Sequence, residues 1–271
     1  MFSSGLSLSI AQPRYGSSSP PGPVYDPDAQ ALFNRMTVQP SSGRKSLIEE
    51  RIIVAKASTW WGKVDILGIC ASHHEQAGRV NWKTNRWGEI TPVNNPNFEI
   101  DRGFTGDGVT SYLDTNYFAT DVDAQMKLET STFAVRVNTV GSPTRFVMGA
   151  WDSPSVRSLV IPYRSGDLRP LFSLNQSSTV VGNTVRQPPQ MYHVTRTATG
   201  VGLWTNGSQV VFNTSGVTSQ PTSSYRICGY NATDLSDAQV SMYFLGGQLT
   251  GAEMADMHSW FEVYRQAVGL T

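Results

Sequence analysis

The four histidines of this chain, His73, His74, His193 and His258, do not stand in a metal-binding spacing. Adjacent His73 and His74 cannot act like the i,i+4 pair of an HExxH helix, and they read as a solvated helix end or loop. His193, between Tyr192 and Val194, is the polar member of a strand face; His258 lies at the edge of a helical apolar stripe. Two pairs of carboxylates are closer in sequence. A glycosidase needs two acids facing each other across a cleft, but Glu99 and Asp101 in NFEIDRG read as the charged ends of a strand. Asp121 and Asp123, in the loop TDVDA, form the calcium candidate, because hard cations favour clustered carboxylate oxygens. No GxSxG nucleophile elbow occurs, and SSGRKS is too short and wrongly placed for a phosphate loop. No catalytic residue and no cofactor other than that calcium is expected.

Sugar binding needs different side chains: an aromatic face for the apolar side of a pyranose, and nearby planar polar groups for its hydroxyls. Trp151 and Asp152 at one strand end, with Tyr163, Arg164 and Asp167 at the next turn, supply those types within a short stretch. They are the carbohydrate-binding candidates, with core filling as the alternative duty for Trp151. Sequons at Asn175, Asn206, Asn213 and Asn231 are read as structural, since Asn206 belongs to a tight turn.

The elements that would position these groups fit a single large core. With 271 residues, 39% of them hydrophobic and 10% aromatic, the chain can bury one large β domain or two smaller ones. Lys plus Arg and Asp plus Glu balance at 21 each, so no net field holds nucleic acid or anionic lipid, and no nucleic-acid partner is expected. Cys70 and Cys228 are too few for a disulfide scaffold or a thiolate zinc cage. They read as buried free thiols, with one long-range disulfide as the alternative. No apolar run of about 20 residues suggests a membrane span, and MFSSGLSLSIAQPRYG lacks the pattern of a secretion signal.

Residues 1–25 are rich in Ser, Gly and Pro and cannot close a core alone. Phe2, Leu6, Leu8, Ile10 and Tyr15 interrupt them at near-alternate positions, so the segment reads either as a loose tail or as an extended anchor that pairs with a neighbouring subunit. Residues 26–80 predict a small helical module: one helix opening at Asp26-Pro27, a second from Ser42, and a third on Trp60, Val64, Leu67 and Ala71. Residues 81–98 are turn-rich and read as a folded linker. From residue 99 to 271, about ten alternating strands predict two packed antiparallel sheets. In TFAVRVNT, Phe133, Val135 and Val137 should share one face; in QVSMYFLGG, so should Val240, Met242 and Phe244.

The final third is the most explicit. In MYHVTRTATGVGLWTNGSQVVFN, Asn206-Gly207 supplies the two positive-φ residues of a tight hairpin. In LTGAEMADMHSWFEVYRQAVG the period changes to helical, with a Thr250-x-x-Glu253 capping box and an apolar stripe of Leu249, Met257, Trp260, Phe261 and Tyr264 that predicts a docked helix at 250–269. This layout resembles the concanavalin A-like lectin/glucanase (laminin-G-like) jelly roll of bacteriophage virion proteins, over roughly the last 170 residues and by pattern rather than one diagnostic motif. FTGDGVTSYLDT fits the FxGDGxxxYLDT lead-in to the first sandwich strand of those proteins, where Gly106 and Gly108 serve the turn.

The resemblance implies a mainly β protein: a concanavalin-like sandwich with an N-terminal helical module and a C-terminal docking helix. It also implies a non-enzymatic virion component, in a tail fibre, tail tip or baseplate appendage, that adheres to host-surface glycan. Partners would be other virion proteins and two further copies of the chain in a trimer. A capsid decoration or stabilising protein without a sugar site is the alternative. A polysaccharide-degrading enzyme is the third reading, disfavoured because the ExDxxE-like triplet of lectin-fold glucanases is missing.

Overall fold

The computed structural model describes residues 24–83, 86–185 and 187–270; the expected anchor residues Phe2, Leu6, Leu8, Ile10 and Tyr15 lie outside them. Among the described residues the chain runs through α1 (Pro27–Asn34), α2 (Ser42–Ala57), β1 (Val64–Gly68), β2 (Thr91–Val93), β3 (Asn97–Glu99), β4 (Gly103–Thr105) and β5 (Tyr112–Asp114). It continues with β6 (Ser131–Thr139), β7 (Met148–Ser153), β8 (Val156–Ile161), β9 (Leu171–Ser173) and β10 (Val180–Val181). The last elements are β11 (Gln190–Thr197), β12 (Gly200–Thr205), β13 (Ser208–Asn213), β14 (Arg226–Ile227), β15 (Gln239–Gly246) and α3 (Gly251–Ala267). One antiparallel sheet is ordered β13-β12-β11-β6-β15-β4-β3, with β1 also paired to β15, and the second β10-β9-β8-β7-β14-β5-β2. Two packed antiparallel sheets make the expected jelly-roll-type sandwich. Among the described residues no helix is long and apolar enough to cross a membrane.

Alternation along each strand decides what the first sheet touches. Phe133, Val135 and Val137 of β6, Tyr192 and Val194 of β11, and Val201 and Leu203 of β12 fill the space between the sheets. Their out-of-phase neighbours Ala134, Met191 and Trp204 join a second core on the outer face. In β15 the expected common face of Val240, Met242 and Phe244 is broken. Val240 enters the inter-sheet core, whereas Met242 and Phe244 enter the outer one. The register against β6 shifts between Val240 and Met242, so Ser241 is an extra residue that turns the following side chains over.

The hairpin forms as read. Thr205 pairs with Ser208 across Asn206 (φ 48°) and Gly207 (φ 77°). A Cβ on Gly207 would also come within 2.5 Å of Ala255 Cα, so the same glycine lets α3 lie against the turn.

The outer core is roofed by the helices. Asp26 caps α1 through the Asp28 amide (2.9 Å) and Ser41 caps α2 through the Arg44 amide (3.3 Å). The third expected helix, on Trp60, Val64, Leu67 and Ala71, is instead a 3-10 turn (Trp61–Lys63) followed by strand β1. Val64, Ile66 and Leu67 are all buried, and a short run buried on both sides carries no period that separates helix from strand. The β-branched residues then favour the extended form. Gly68 completes the strand because a Cβ there would lie 1.9 Å from the Tyr243 ring. Residues 26–80 thus give two helices to the outer layer and one strand to the first sheet. Within 81–98, β2 belongs to the second sheet and β3 begins at Asn97 in the first.

The capping box at α3 is present: Glu253 N donates to Thr250 Oγ1 (3.3 Å), and Thr250 N donates to Glu253 Oε2 (2.7 Å). Met254, Met257, Trp260, Phe261 and Tyr264 are buried against the sheet and α2. Trp260 Nε1 donates to Arg51 O (2.7 Å) and Tyr264 Oη to Ala71 O (2.9 Å), which satisfies the polar ends of both rings. At about 1.5–3 kcal/mol per fully buried large apolar side chain, docking rather than intrinsic propensity stabilises this helix. Arg44 on α2 grips both Asp101 oxygens at 2.8 Å, so Asp101 joins the helical layer to the β3–β4 turn. Glu99 pairs with Arg102 at 3.2 Å.

Candidate functional site

The helices seal the outer face of the first sheet, so among the described residues the broad sheet surface left without a helical cover is the outer face of the second. Leu113, Met148, Ala150, Val160, Phe172 and Ile227 point inward to the core between the sheets. The period of two therefore puts Tyr112, Asp114, Arg226, Gly149, Trp151 and Arg157 on the opposite side. Cross-strand pairing brings them into one patch: Arg226 stands between Asp114 on β5 and Gly149 on β7, and Trp151 pairs with Arg157 on β8.

Gly149 makes the patch possible. A Cβ at that position would meet Ser158 O at 2.3 Å and Tyr230 Cβ at 2.8 Å, so the missing side chain lets Tyr230 lie down on the sheet. Tyr230 stacks on Phe146 with centroids 4.1 Å apart and receives the edge of Trp151 at 5.3 Å. Burial and the nearby Asp234 push the Tyr230 phenol up to about 12, while Arg157 pulls the other way. The phenol therefore stays protonated at neutral pH. On the neighbouring strands the Arg226 guanidinium lies 4.5 Å over the Tyr112 ring, an arrangement that holds both flat groups parallel to the sheet. Trp151, Phe146, Tyr112, Arg226 and Arg157 are all half-buried. Chemically this is an apolar platform edged by guanidinium donors and the Asp114 carboxylate.

The five sugar-binding candidates do not converge. Trp151 belongs to the platform. Asp152 next to it accepts from Thr222 N (2.6 Å), Thr222 Oγ1 (2.8 Å) and Ser223 N (2.9 Å). Burial raises its pKa, but those bonds outweigh it and hold the carboxyl below its ordinary value. Its observed work is clasping the 222–223 turn. Tyr163, Arg164 and Asp167 lie beyond the far end of β8. Six residues of strand at about 3.3 Å each separate Tyr163 from Arg157, the partner of Trp151, or about 20 Å. There Tyr163 lines a cleft of about 310 Å³ with Val140, Gln187 and Pro189, its hydroxyl donating to Val140 O (3.3 Å). Arg164 and Asp167 form an ion pair with each other.

The calcium candidates are also spoken for. Asp121 and Asp123 bind the two ends of the Arg86 guanidinium at 3.0 and 2.9 Å, which places a side-chain cation where an ion was expected. Among the described residues, no group of three or more His, Cys, Asp or Glu side chains could hold a metal. His73 Nε2 contacts Val38 O at 2.9 Å, and the His74 ring accepts from Gln76 N at 3.3 Å. Cys70 and Cys228 are free and buried, and burial pushes the Cys228 thiol up to about 12 and Cys70 higher still. Tyr112, Phe146, Arg226 and Tyr230 escaped sequence reasoning because they gather from three separate segments; the available signal was Gly149 inside an otherwise apolar strand.

No protein-family model matches this sequence, and no curated protein matches it. Solved structures share the fold. A mutant of Trypanosoma rangeli sialidase displaying trans-sialidase activity superposes with a TM-score of 0.55 at 14% identity, over 84% of this chain and 40% of the sialidase. The same sialidase in complex with sialic acid gives 0.52 at 12% identity, over 84% of this chain and 39% of the other. The ligand binding domain of botulinum neurotoxin serotype D, in complex with N-acetylneuraminic acid, gives 0.50 at 9% identity, over 73% of this chain and 50% of the toxin domain. This chain thus spans about two fifths of the sialidase and half of the toxin domain, and the likeness at these identities is one of fold.

Proposed function

We propose that this chain is a non-enzymatic glycan-binding sandwich that uses the open face of its second sheet, and that it works as a structural component of a bacteriophage virion, in a tail fibre, tail tip or baseplate appendage. The observation that carries the glycan reading is the platform of Trp151, Tyr230 and Phe146 beside the Tyr112–Arg226 pair on the sheet without a helical roof. The sialic acid complexes of two proteins with this fold support the same reading. The virion assignment is supported by the hairpin, lead-in and terminal-helix motifs, and with it go attachment through residues 1–25 and assembly as a trimer. The absence of turnover is supported by the state of the platform's acids: Asp152 is taken up by Thr222 and Ser223, and Asp114 accepts from Asn116 N (2.9 Å).

The test is retention of purified protein on host-envelope polysaccharide, with a reducing-end assay on the same mixture. Tyr112→Ala with Trp151→Ala should lower retention about tenfold or more, given about 0.5–1.5 kcal/mol for each aromatic contact beyond its buried area. Tyr163→Ala should leave retention unchanged. Equal retention by the double variant, or appearance of reducing ends, refutes the proposal.

A further inference from the structure

Another cleft opens where β1 meets Lys83, Arg86 and Trp87 and the 121–125 loop. Its volume is about 360 Å³, with Asp65, Lys83, Arg86, Trp87, Asp123 and Gln125 among its lining residues, a size at the small end of ligand sites. We infer that this cleft binds a single neutral sugar unit, separately from the open sheet face. The inference rests on the glycan reading but not on the platform that carries it.

The walls are fixed before any ligand arrives. Trp87 packs on Tyr117 at 5.0 Å, and Tyr117 Oη donates to Asp65 Oδ2 at 2.7 Å. Gln125 N donates to the same carboxylate oxygen at 2.8 Å, so the floor and one wall share a hydrogen-bonded support. Arg86 lies 5.3 Å over the Trp87 ring and is held by Asp121 and Asp123. Lys83 reaches across to Trp61 O at 2.7 Å, with its ammonium 4.6 Å over the Trp61 ring. Apart from the Arg86–Trp87 contact, these join positions more than 20 residues apart, which is how a rigid recognition site is built.

Charge selects the ligand class. Asp65, Asp121 and Asp123 oppose Lys83 and Arg86, so the cations are already matched and an added carboxylate or phosphate would meet a surplus of acid. Sugar hydroxyls suit this lining because each donates and accepts at once. Asp123 is exposed and uses one oxygen on Arg86, while Gln125 donates its amide to Val64 O (3.3 Å) and keeps its carbonyl oxygen available. The edge of Trp87 supplies the apolar contact. A flat face suits a glycan chain, whereas this recess accommodates one terminal unit.

The experiment follows the indole N–H resonances of the full chain, with Trp87 assigned through Trp87→Phe. Methyl glycosides of glucose, galactose and mannose, N-acetylglucosamine and N-acetylneuraminic acid are titrated in turn. One of the neutral sugars should shift the Trp87 signal without moving that of Trp151, and Asp123→Ala should weaken it about tenfold, the effect of losing one hydrogen bond to a charged group. Gln125→Ala should weaken it as well, and Trp151→Ala should not. The inference is overturned if no neutral sugar moves Trp87 or if N-acetylneuraminic acid binds there more tightly than any neutral sugar. Loss of the cleft signal with polysaccharide retention intact refutes the cleft alone. Loss of retention in the wild type refutes the wider glycan reading.

Discussion

His193 should make this protein acid-sensitive in a pH range where most of its carboxylates are still ionised. It sits on β11 opposite Ala134 and Trp204, fully buried under α3, and neither ring nitrogen has a hydrogen-bond partner among the described residues. Burial, with a further push from His258, lowers its pKa from 6.5 to about 3. His258, across the interface on α3, is also lowered by burial and by Arg136 and Arg265, with Glu262 acting in the opposite sense. The sign follows from linkage. A histidine whose folded pKa is depressed binds more protons unfolded, so stability is fully present above about pH 6.5 and is lost as pH falls toward 3. At pH 5 the loss from His193 alone is about 2 kcal/mol, and at pH 4 about 3 kcal/mol. Urea denaturation of the wild type and His193→Leu at pH 7 and pH 5 measures it. The wild type should lose about 2 kcal/mol more than the variant across that interval, and the variant should be the more stable at both pH values, because it removes an unpaired buried polar group. Parallel pH dependences in the two proteins would refute the reasoning.

Three further outcomes are expected. Gly149→Ala should cost about 1–3 kcal/mol through the contacts with Ser158 O and Tyr230, lowering both the melting temperature and polysaccharide retention. Trp260→Ala should cost about 3–5 kcal/mol in chemical denaturation, since it empties the centre of the helix–sheet core and removes the side-chain hydrogen bond to Arg51 O. Cys70 and Cys228 should resist thiol-specific reagents at pH 8 in the folded protein and react promptly in denaturant, because both thiols are buried and their pKa values raised.

What the sequence disclosed was local, and what it hid was not. The Asn206-Gly207 turn and the Thr250–Glu253 box each depend on a few neighbouring residues, so their types and spacing were enough. The alternation in TFAVRVNT survived because β6 pairs with β11 without a register shift. The bulge at Ser241 leaves no compositional mark, so Met242 and Phe244 were assigned to the wrong side. β1 was read as helix because its apolar run is covered on both faces and its partner strand lies nearly two hundred residues away. The same distance effect governs the sites. Trp151 could be picked out by type, but Tyr230, which comes to rest on Gly149, and Arg86, which takes up Asp121 and Asp123, depend on tertiary pairing.

The one-sided helical cover gives the molecule a front and a back. Tyr25, at the head of the described chain, packs edge-on to Phe33 at 5.1 Å, and Asp26 is tied to Lys56 at 3.1 Å, both within the helical layer. Tyr25 and Asp26 therefore lie on the covered side, while the aromatic sheet surface looks the other way. A large partner laid on the bare strands would therefore leave the helical layer uncovered.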